Sequence, residues 1–316
     1  MKSFQVIRTH LSPYHGPNFV QFEQDRLEKI ASLQLVNLAE FSPSEPSILI
    51  TNTHTKLKLL PNKLLQNTKL ILHSNSGYDH FAEEAELWRN IPIIIGHEIR
   101  AQAVAEYCLG ALMEGLLELP QHLAWNKSRN WERPLIRDQE IWVYGYGHIG
   151  KIVVQTLKSL GAQVLVVDPF LKEIPSPRKN HKNARVVIAC CSLNSSSQHM
   201  FDEDFFNDAH PELLFINGAR GKLVHEQSLR EFLLSHPKAQ AFLDVFEHEP
   251  FDESWHHFPQ VWKTSHIAGV YSELNKGVIE FEERTLLDYT SMNESAFLDK
   301  YKNELLQNKW VNGQLL

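Results

Sequence analysis

Short apolar runs alternate with helix-like stretches along most of the chain, and length sorts the two. Ser47–Thr51, Lys69–His73 and Pro92–Ile95 are too short for helices and rich in Ile and Leu, which predicts buried parallel strands. Pro61 opens a helix-like segment between the first two, the crossover that parallel strands require. From Gln102 to Leu119 the period becomes helical, and Pro120 stops it. Its apolar positions cover more than one face, so this helix is expected to lie between layers or between subunits. A second strand series follows at Ile141–Tyr144, Gln163–Asp168, Val186–Cys190, Leu213–Ile216 and Gln240–Asp244. Two βα series in succession predict an α/β protein with two doubly wound parallel-sheet domains.

Composition narrows what such domains do. A chain of 316 residues suits two domains at about 150 residues each. With 43% apolar and 22% charged residues it is not a disordered chain. A net charge of −7 without a basic run argues against nucleic acid or an anionic membrane as partner. The longest apolar stretch, Ala103–Leu117, is interrupted by Glu106 and Glu114, so no membrane span is expected. The N-terminus has no apolar signal core, and three cysteines, with Cys190 and Cys191 adjacent, make no disulfide framework. These features predict a cytoplasmic protein with packed thiols. The seventeen histidines show no metal-site spacing, so no metal is expected.

One motif carries a specific chemistry. Gly145, Gly147 and Gly150 form a G-x-G-x-x-G loop between the strand at 141–144 and the helix-like stretch 151–160. The next strand ends in Asp168, 23 residues after Gly145. Gly145 permits a tight turn, Gly147 lets backbone approach a pyrophosphate, and Gly150 lets helix and strand pack closely. Backbone N–H groups around His148 and Ile149 at the helix start then face the phosphates. Asp168 can accept both ribose hydroxyls and would repel a 2′-phosphate, which favours NAD over NADP. The competing phosphate loop, G-x-x-x-x-G-K-[ST], is absent from the sequence.

Downstream lie Ile216–Gly221, Leu243–Pro250 and Thr264–Gly269. With the glycine loop, these segments resemble the signatures of the D-isomer-specific 2-hydroxyacid dehydrogenases, the family that includes phosphoglycerate dehydrogenases. Ser74–Asp79 resembles that family's substrate loop, and Ala103–Glu106 the start of its interdomain helix. The resemblance implies a Rossmann-type NAD domain, a flavodoxin-like substrate domain and hydride transfer between nicotinamide and a small 2-hydroxy or 2-keto acid. It also implies roles. His266 would exchange the substrate proton, and Glu249 would orient that ring and raise its pKa. Arg220 would hold the substrate carboxylate and polarise the keto oxygen. The N–H groups of Ser76 and Gly77 would complete the carboxylate site, and Asp244 would meet the nicotinamide carboxamide. Taken singly, an Arg after a strand is usually solvated, a His structural and a Glu-Pro an ordinary loop. Their joint order, with a spacing of 29 positions from Arg220 to Glu249, favours catalysis. His248, His256 and His257 are read as loop residues. The alternative function is a non-catalytic NAD(H)-responsive binding protein on the same fold; an enzyme on another small acid or a phosphonate-like substrate would share every cofactor residue.

The sequence also departs from the family. Only residues 169–185, with three prolines, separate Asp168 from the strand at Val186, so the third strand of the NAD domain is expected to be missing or vestigial. Ser192, Asn75 and Arg100 stand where the family commonly has Pro, Gly and Asn. Arg100 either adds a charge to the substrate cleft or is simply solvated, the second being favoured. Thr51–His54 lacks the arginine that phosphoglycerate-type members use to meet a phosphate, which points to a small, unphosphorylated substrate. Its side-chain pocket is expected around Thr51–Lys56, Asn75–Tyr78 and Trp255–Phe258. The expected organisation is a substrate domain at 1–98, an NAD domain at 99–285 and a return of 286–316 to the first, with a cleft between the domains. The apolar helix at 102–118 and its surroundings are expected to pair two copies into a homodimer.

Overall fold

The computed structural model describes residues 4–129, 131, 133–170, 184–311 and 314–316. It divides into two compact units, one of residues 1–100 and 270–316 and the other of residues 101–269. In the first unit the chain forms β1 (Phe4–Arg8), α1 (Phe19–Leu27), β2 (Leu33–Leu35), β3 (Ser47–Thr51), α2 (Asn62–Asn67), β4 (Thr68–His73), α3 (Ala85–Trp88) and β5 (Ile93–Ile95). Helix α4 (His97–Leu117) starts there and continues into the second unit. The five strands pair in parallel in the order β2-β1-β3-β4-β5, the flavodoxin-like winding.

Alternate residues of these strands face opposite cores. Val6, Ile48, Ile50, Leu70, Leu72 and Ile94 pack with Phe19 and Leu27 of α1, whereas Ile7, Leu49, Ile71 and Ile93 pack with Leu64, Phe81 and Trp88. Burial on both faces explains why the strands read as unbroken apolar runs. β1 and β2 escape that signature. β1 carries a buried Gln5 whose amide bonds to Ser42 and Ser47, and β2 has only three residues.

The second unit contains β6 (Glu140–Tyr144), α5 (His148–Ser159), β7 (Gln163–Val167), β8 (Val186–Ala189), α6 (Glu203–Asn207), β9 (Leu214–Asn217), α7 (Glu226–Ser235), β10 (Gln240–Leu243) and β11 (Val261–Lys263). Its parallel sheet has the order β11-β10-β9-β8-β6-β7. One face packs on α4 and α5, through Val104, Cys108, Leu112, Val153 and Leu157, and the other on Phe205, Leu229 and Phe232 of α6 and α7. This is the doubly wound dinucleotide-binding architecture. β7 and β11 are its two edge strands among the described residues. The expected loss of a third strand falls mostly on residues 171–183, which lie outside the described residues.

Three expectations change. Helix α4 begins five residues earlier than the apolar period suggests, at His97, and ends at Leu117, before Pro120. Its apolar side chains are buried in the core of its own unit, so apolarity of this helix is no argument for a subunit contact. The return to the first unit comes at Val270, not at 286. There α8 (Leu274–Ser291) buries Leu274, Val278, Ile279, Phe281 and Leu286 beside β1, β3 and β4, and α9 (Glu294–Lys300) adds Phe297. The chain ends in the short antiparallel pair β12 (Trp310–Val311) and β13 (Gln314–Leu315).

A buried charge cluster ties α8 to the sheet. Arg8, at the end of β1, donates to Glu23 of α1 at 2.9 Å and to Glu282 of α8 at 2.7 Å, and Ser74 Oγ donates to the other Glu282 oxygen. Burial pushes the Glu282 carboxyl up while Arg8 pulls it down. Glu282→Ala is expected to cost about 3 kcal/mol or more, because it strips Arg8 and Ser74 of a buried partner at once. Urea unfolding of variant and wild type measures the loss.

Candidate active site

In the second unit, the glycine loop leaves the end of β6. Gly145 has φ +95°, and a Cβ there would stand 2.7 Å from the Cys191 backbone, so this turn admits no side chain. Gly147 caps α5, His148 and Ile149 open the helix, and Gly150 lies in its first turn. Nothing lies within 4 Å of a Cβ placed on Gly147, an open cradle at the N–H end of the helix. Asp168 follows β7, and one of its oxygens accepts from Tyr146 N–H at 2.8 Å while the other accepts from Phe170 N–H at 3.0 Å. The carboxylate therefore pins the glycine loop and keeps lone pairs for a ribose. These residues fit a dinucleotide.

The catalytic candidates follow β9, β10 and β11. Asn217, the last residue of β9, shapes the Arg220 loop by accepting from Ala219 N–H at 3.1 Å and donating to the Arg220 carbonyl at 2.9 Å. Gly221 sits so close to Phe246 that a Cβ would be 1.8 Å from its carbonyl oxygen. That approach brings the Arg220 charge within reach of Glu249. His266 Nδ1 lies 2.9 Å from Glu249 Oε2, and since a carboxylate only accepts, Nδ1 carries the proton of this bond. Burial raises the Glu249 carboxyl, but His266, the Phe246 N–H and Arg220 together hold it below the ordinary carboxylate range. His266 has φ +56°, a left-handed backbone unusual outside glycine and of the kind that collects at functional sites.

Asp244, beyond β10, imposes that backbone. It is buried, and its oxygens accept from Thr264 Oγ1 at 2.6 Å, Ile267 N–H at 2.8 Å and Ala268 N–H at 2.8 Å, while its carbonyl accepts from His266 N–H at 2.8 Å. Three carboxylate bonds leave little room for a further donor, so the first role visible for Asp244 is to position the His266 loop. Tyr107 Oη, 2.8 Å from Thr264 Oγ1, extends the network to α4. Cys190 and Cys191 are packed thiols; hydrogen bonding to Cys108 and burial push Cys190 up, and burial pushes Cys191 to about 12.

In the first unit, the loop after β4 is held at both ends. Ser74 gives its hydroxyl to Glu282, and its carbonyl accepts from Arg100 Nη1 at 2.8 Å. His73 Nε2 donates to the Gly77 carbonyl at 2.9 Å, which leaves Nδ1 to accept from Thr51 Oγ1 at 3.0 Å. Full burial pushes His73 down to about 3, so it serves as a neutral strut. Ser76 Oγ is buried without a hydrogen-bond partner among the described residues. The expectation of a solvated Arg100 fails: it is largely buried and bonded to the Ser74 carbonyl.

Comparison with known proteins bears on the family and the fold. The family model described as "D-isomer specific 2-hydroxyacid dehydrogenase, NAD binding domain" matches residues 109–268, half of the chain. The chain belongs to this family. Among its curated relatives are a D-3-phosphoglycerate dehydrogenase of Methanocaldococcus jannaschii, 25% identical over 221 residues, and an erythronate-4-phosphate dehydrogenase of Acinetobacter baumannii, 31% identical over 265 residues. These matches cover 65% and 80% of the chain but only 42% and 66% of the relatives. Among solved structures, a D-lactate dehydrogenase from Aquifex aeolicus complexed with NAD and lactic acid superposes with TM-score 0.71 at 17% identity, covering 96% of this chain and 99% of that one. Membership in a family with an NAD-binding domain makes a nicotinamide dinucleotide the cofactor.

Several positioning residues carried no local signal. Glu282 and Arg8 are 274 positions apart, and Tyr107 and Thr264 are 157 apart. Asn217 was within reach of sequence reasoning, since an Asn ending a strand before a tight loop commonly bonds its own backbone. Gly221→Ala is expected to lower stability by about 3 kcal/mol, because Phe246 is backbone and cannot turn aside. A fall in the urea midpoint of the variant checks this.

Proposed function

We propose that the protein is an NAD-dependent 2-hydroxyacid dehydrogenase working mainly as a reductase of a small 2-keto acid. The observation that carries this reading is the His266–Glu249 pair at 2.9 Å, with His266 locked in a left-handed backbone and the Arg220 charge felt at Glu249. The bound nicotinamide supplies or takes up the hydride at C2. Arg220 holds the substrate carboxylate and draws electron density from the keto oxygen as that oxygen becomes negative. His266 Nε2 then delivers the proton that turns this oxygen into the hydroxyl, and Glu249 balances the imidazolium charge through Nδ1. In the reverse direction Nε2 removes that proton. The Ser76 and Gly77 N–H groups contribute to the carboxylate, and Asp244 offers its remaining acceptor position to the carboxamide. Asp168 favours NAD over NADP by repelling a 2′-phosphate. An acid–base pair beside a fixed cation suits turnover, which favours the enzyme over a purely NAD(H)-responsive binding protein.

The protein is further proposed to be a homodimer, on a surface other than the one the apolar helix suggested. Beyond α4, Leu123 is 85% exposed and Trp125 80% exposed, with Leu119, Trp131 and Leu135 also exposed nearby in sequence. A cluster of large apolar side chains in one segment is a surface that a second copy can bury.

Reduction of 2-keto acids with NADH, followed by absorbance, tests the activity. Arg220→Ala is expected to lower kcat/KM about 1,000-fold and His266→Gln 100- to 10,000-fold, roughly what loss of a charge stabiliser and of a general acid cost elsewhere. Turnover unaffected in Arg220→Ala would sink the assignment. In sedimentation, the wild type is expected to run as a dimer and Leu123→Glu/Trp125→Glu as a monomer.

A further inference from the structure

Two buried arginines of the first unit differ in their partners. Arg8 is matched by two carboxylates, Glu23 and Glu282. Arg100, in the first turns of α4, donates through Nη1 to the Ser74 carbonyl, and among the described residues it has no carboxylate within ion-pair distance. The titratable groups whose charge bears on it are those of Tyr271 and Tyr14, and its own charge is felt at His15 and His73. Tyr271 itself donates to the Ile99 carbonyl at 3.0 Å. Burial pulls the Arg100 guanidinium below its ordinary value, yet arginine stays charged in proteins. Holding one carbonyl does not need a charge, since an Asn or Gln amide donates as well without the cost of burying a cation. What a guanidinium adds is a planar fork of five donors that matches a carboxylate or a phosphate.

We propose that Arg100 binds a second anionic group of the substrate, so that the preferred 2-keto acid carries a distal carboxylate or phosphate besides its 2-keto carboxylate. This rests on the reading of Ser76 and Gly77 as substrate-binding. The Ser74 bond fixes the guanidinium at the start of that loop, and the buried, unpartnered Ser76 hydroxyl two residues on is a further donor. The absence of an arginine from Thr51–His54 argues against a phosphate only while Arg100 is taken as solvated; held on the Ser74 carbonyl, Arg100 is a cation available to a distal anion.

The test is calorimetric binding to the NAD-saturated protein of 2-ketoglutarate, 3-phosphohydroxypyruvate and, as the monoanion, 2-ketobutyrate. One dianion is expected to bind 10- to 100-fold more tightly than 2-ketobutyrate, the range of a charge-assisted hydrogen bond, and its identity names the distal group. Arg100→Gln, which keeps a donor for Ser74, is expected to erase the preference, bringing the dianions and 2-ketobutyrate within about threefold of one another; Arg100→Lys keeps the charge without the fork and retains part of the preference. Circular dichroism confirms that each variant is folded, and the wild-type preference is a measurement independent of both. Wild-type binding of all three acids within threefold, no binding of either dianion, or equal weakening of all three by Arg100→Gln overturns the proposal. Parallel assays with NADH separate it from the activity. A preference sensitive to Arg100 without turnover sinks the dehydrogenase and keeps the anion site. Turnover of 2-ketobutyrate without a dianion preference does the reverse.

Discussion

Every strand of the six-stranded sheet runs in one direction, and the chemistry of the second unit depends on that constraint. In a parallel sheet all C-terminal strand ends emerge at a single edge, and the crossovers return over the faces. The glycine loop follows β6, Asp168 follows β7, Arg220 lies beyond β9, Asp244 beyond β10 and His266 beyond β11. Five stretches of chain separated by up to 121 positions therefore deliver their polar groups to one edge. The apolar runs that build the sheet are thus also what gathers the site.

Edge placement is coarse, and proton transfer needs a bond of hydrogen-bond length. Buried polar groups supply the finer control. Asp244 spends three carboxylate bonds and its carbonyl on the loop that carries His266. Those bonds offset the cost of a left-handed histidine, of order 1–3 kcal/mol. Asn217 does the same for the Arg220 loop, and Gly221 lets that loop lie directly against Phe246. A buried carboxylate left without these donors would destabilise the fold, so the folded state and the positioned histidine share one set of bonds.

Strands with both faces buried were legible because the pattern reports burial directly: Ser47–Thr51 is β3 without a residue's difference. The glycine loop and its acid were legible for a related reason, since backbone that must pass close to other atoms restricts residue type locally. β1, β2 and β11 were not, being short or interrupted by buried polar residues such as Gln5. The end of the second unit was misplaced because α8 reads as an amphipathic helix wherever it packs, and its strand partners lie 180 or more positions upstream. Arg100 was misread because an arginine on a helix is ordinarily solvated; only the fold reveals that the Ser74 carbonyl lies within reach.

The discontinuity of the first unit has a physical reason of its own. The loop at Ser74–Gly77 has few groups of its own to hold it, so its supports come from elsewhere: Arg100 on the Ser74 carbonyl, Glu282 on the Ser74 hydroxyl and His73 on the Gly77 carbonyl. Glu282 can be there only because the chain returns after Gly269; burial pushes its carboxyl up, and Arg8 opposite counters part of that push. Arg8 is in turn balanced by Glu23. Each buried charge in this series is matched by the next, which is how charges survive desolvation. The series ends at Arg100, the member whose matching anion the described residues do not supply.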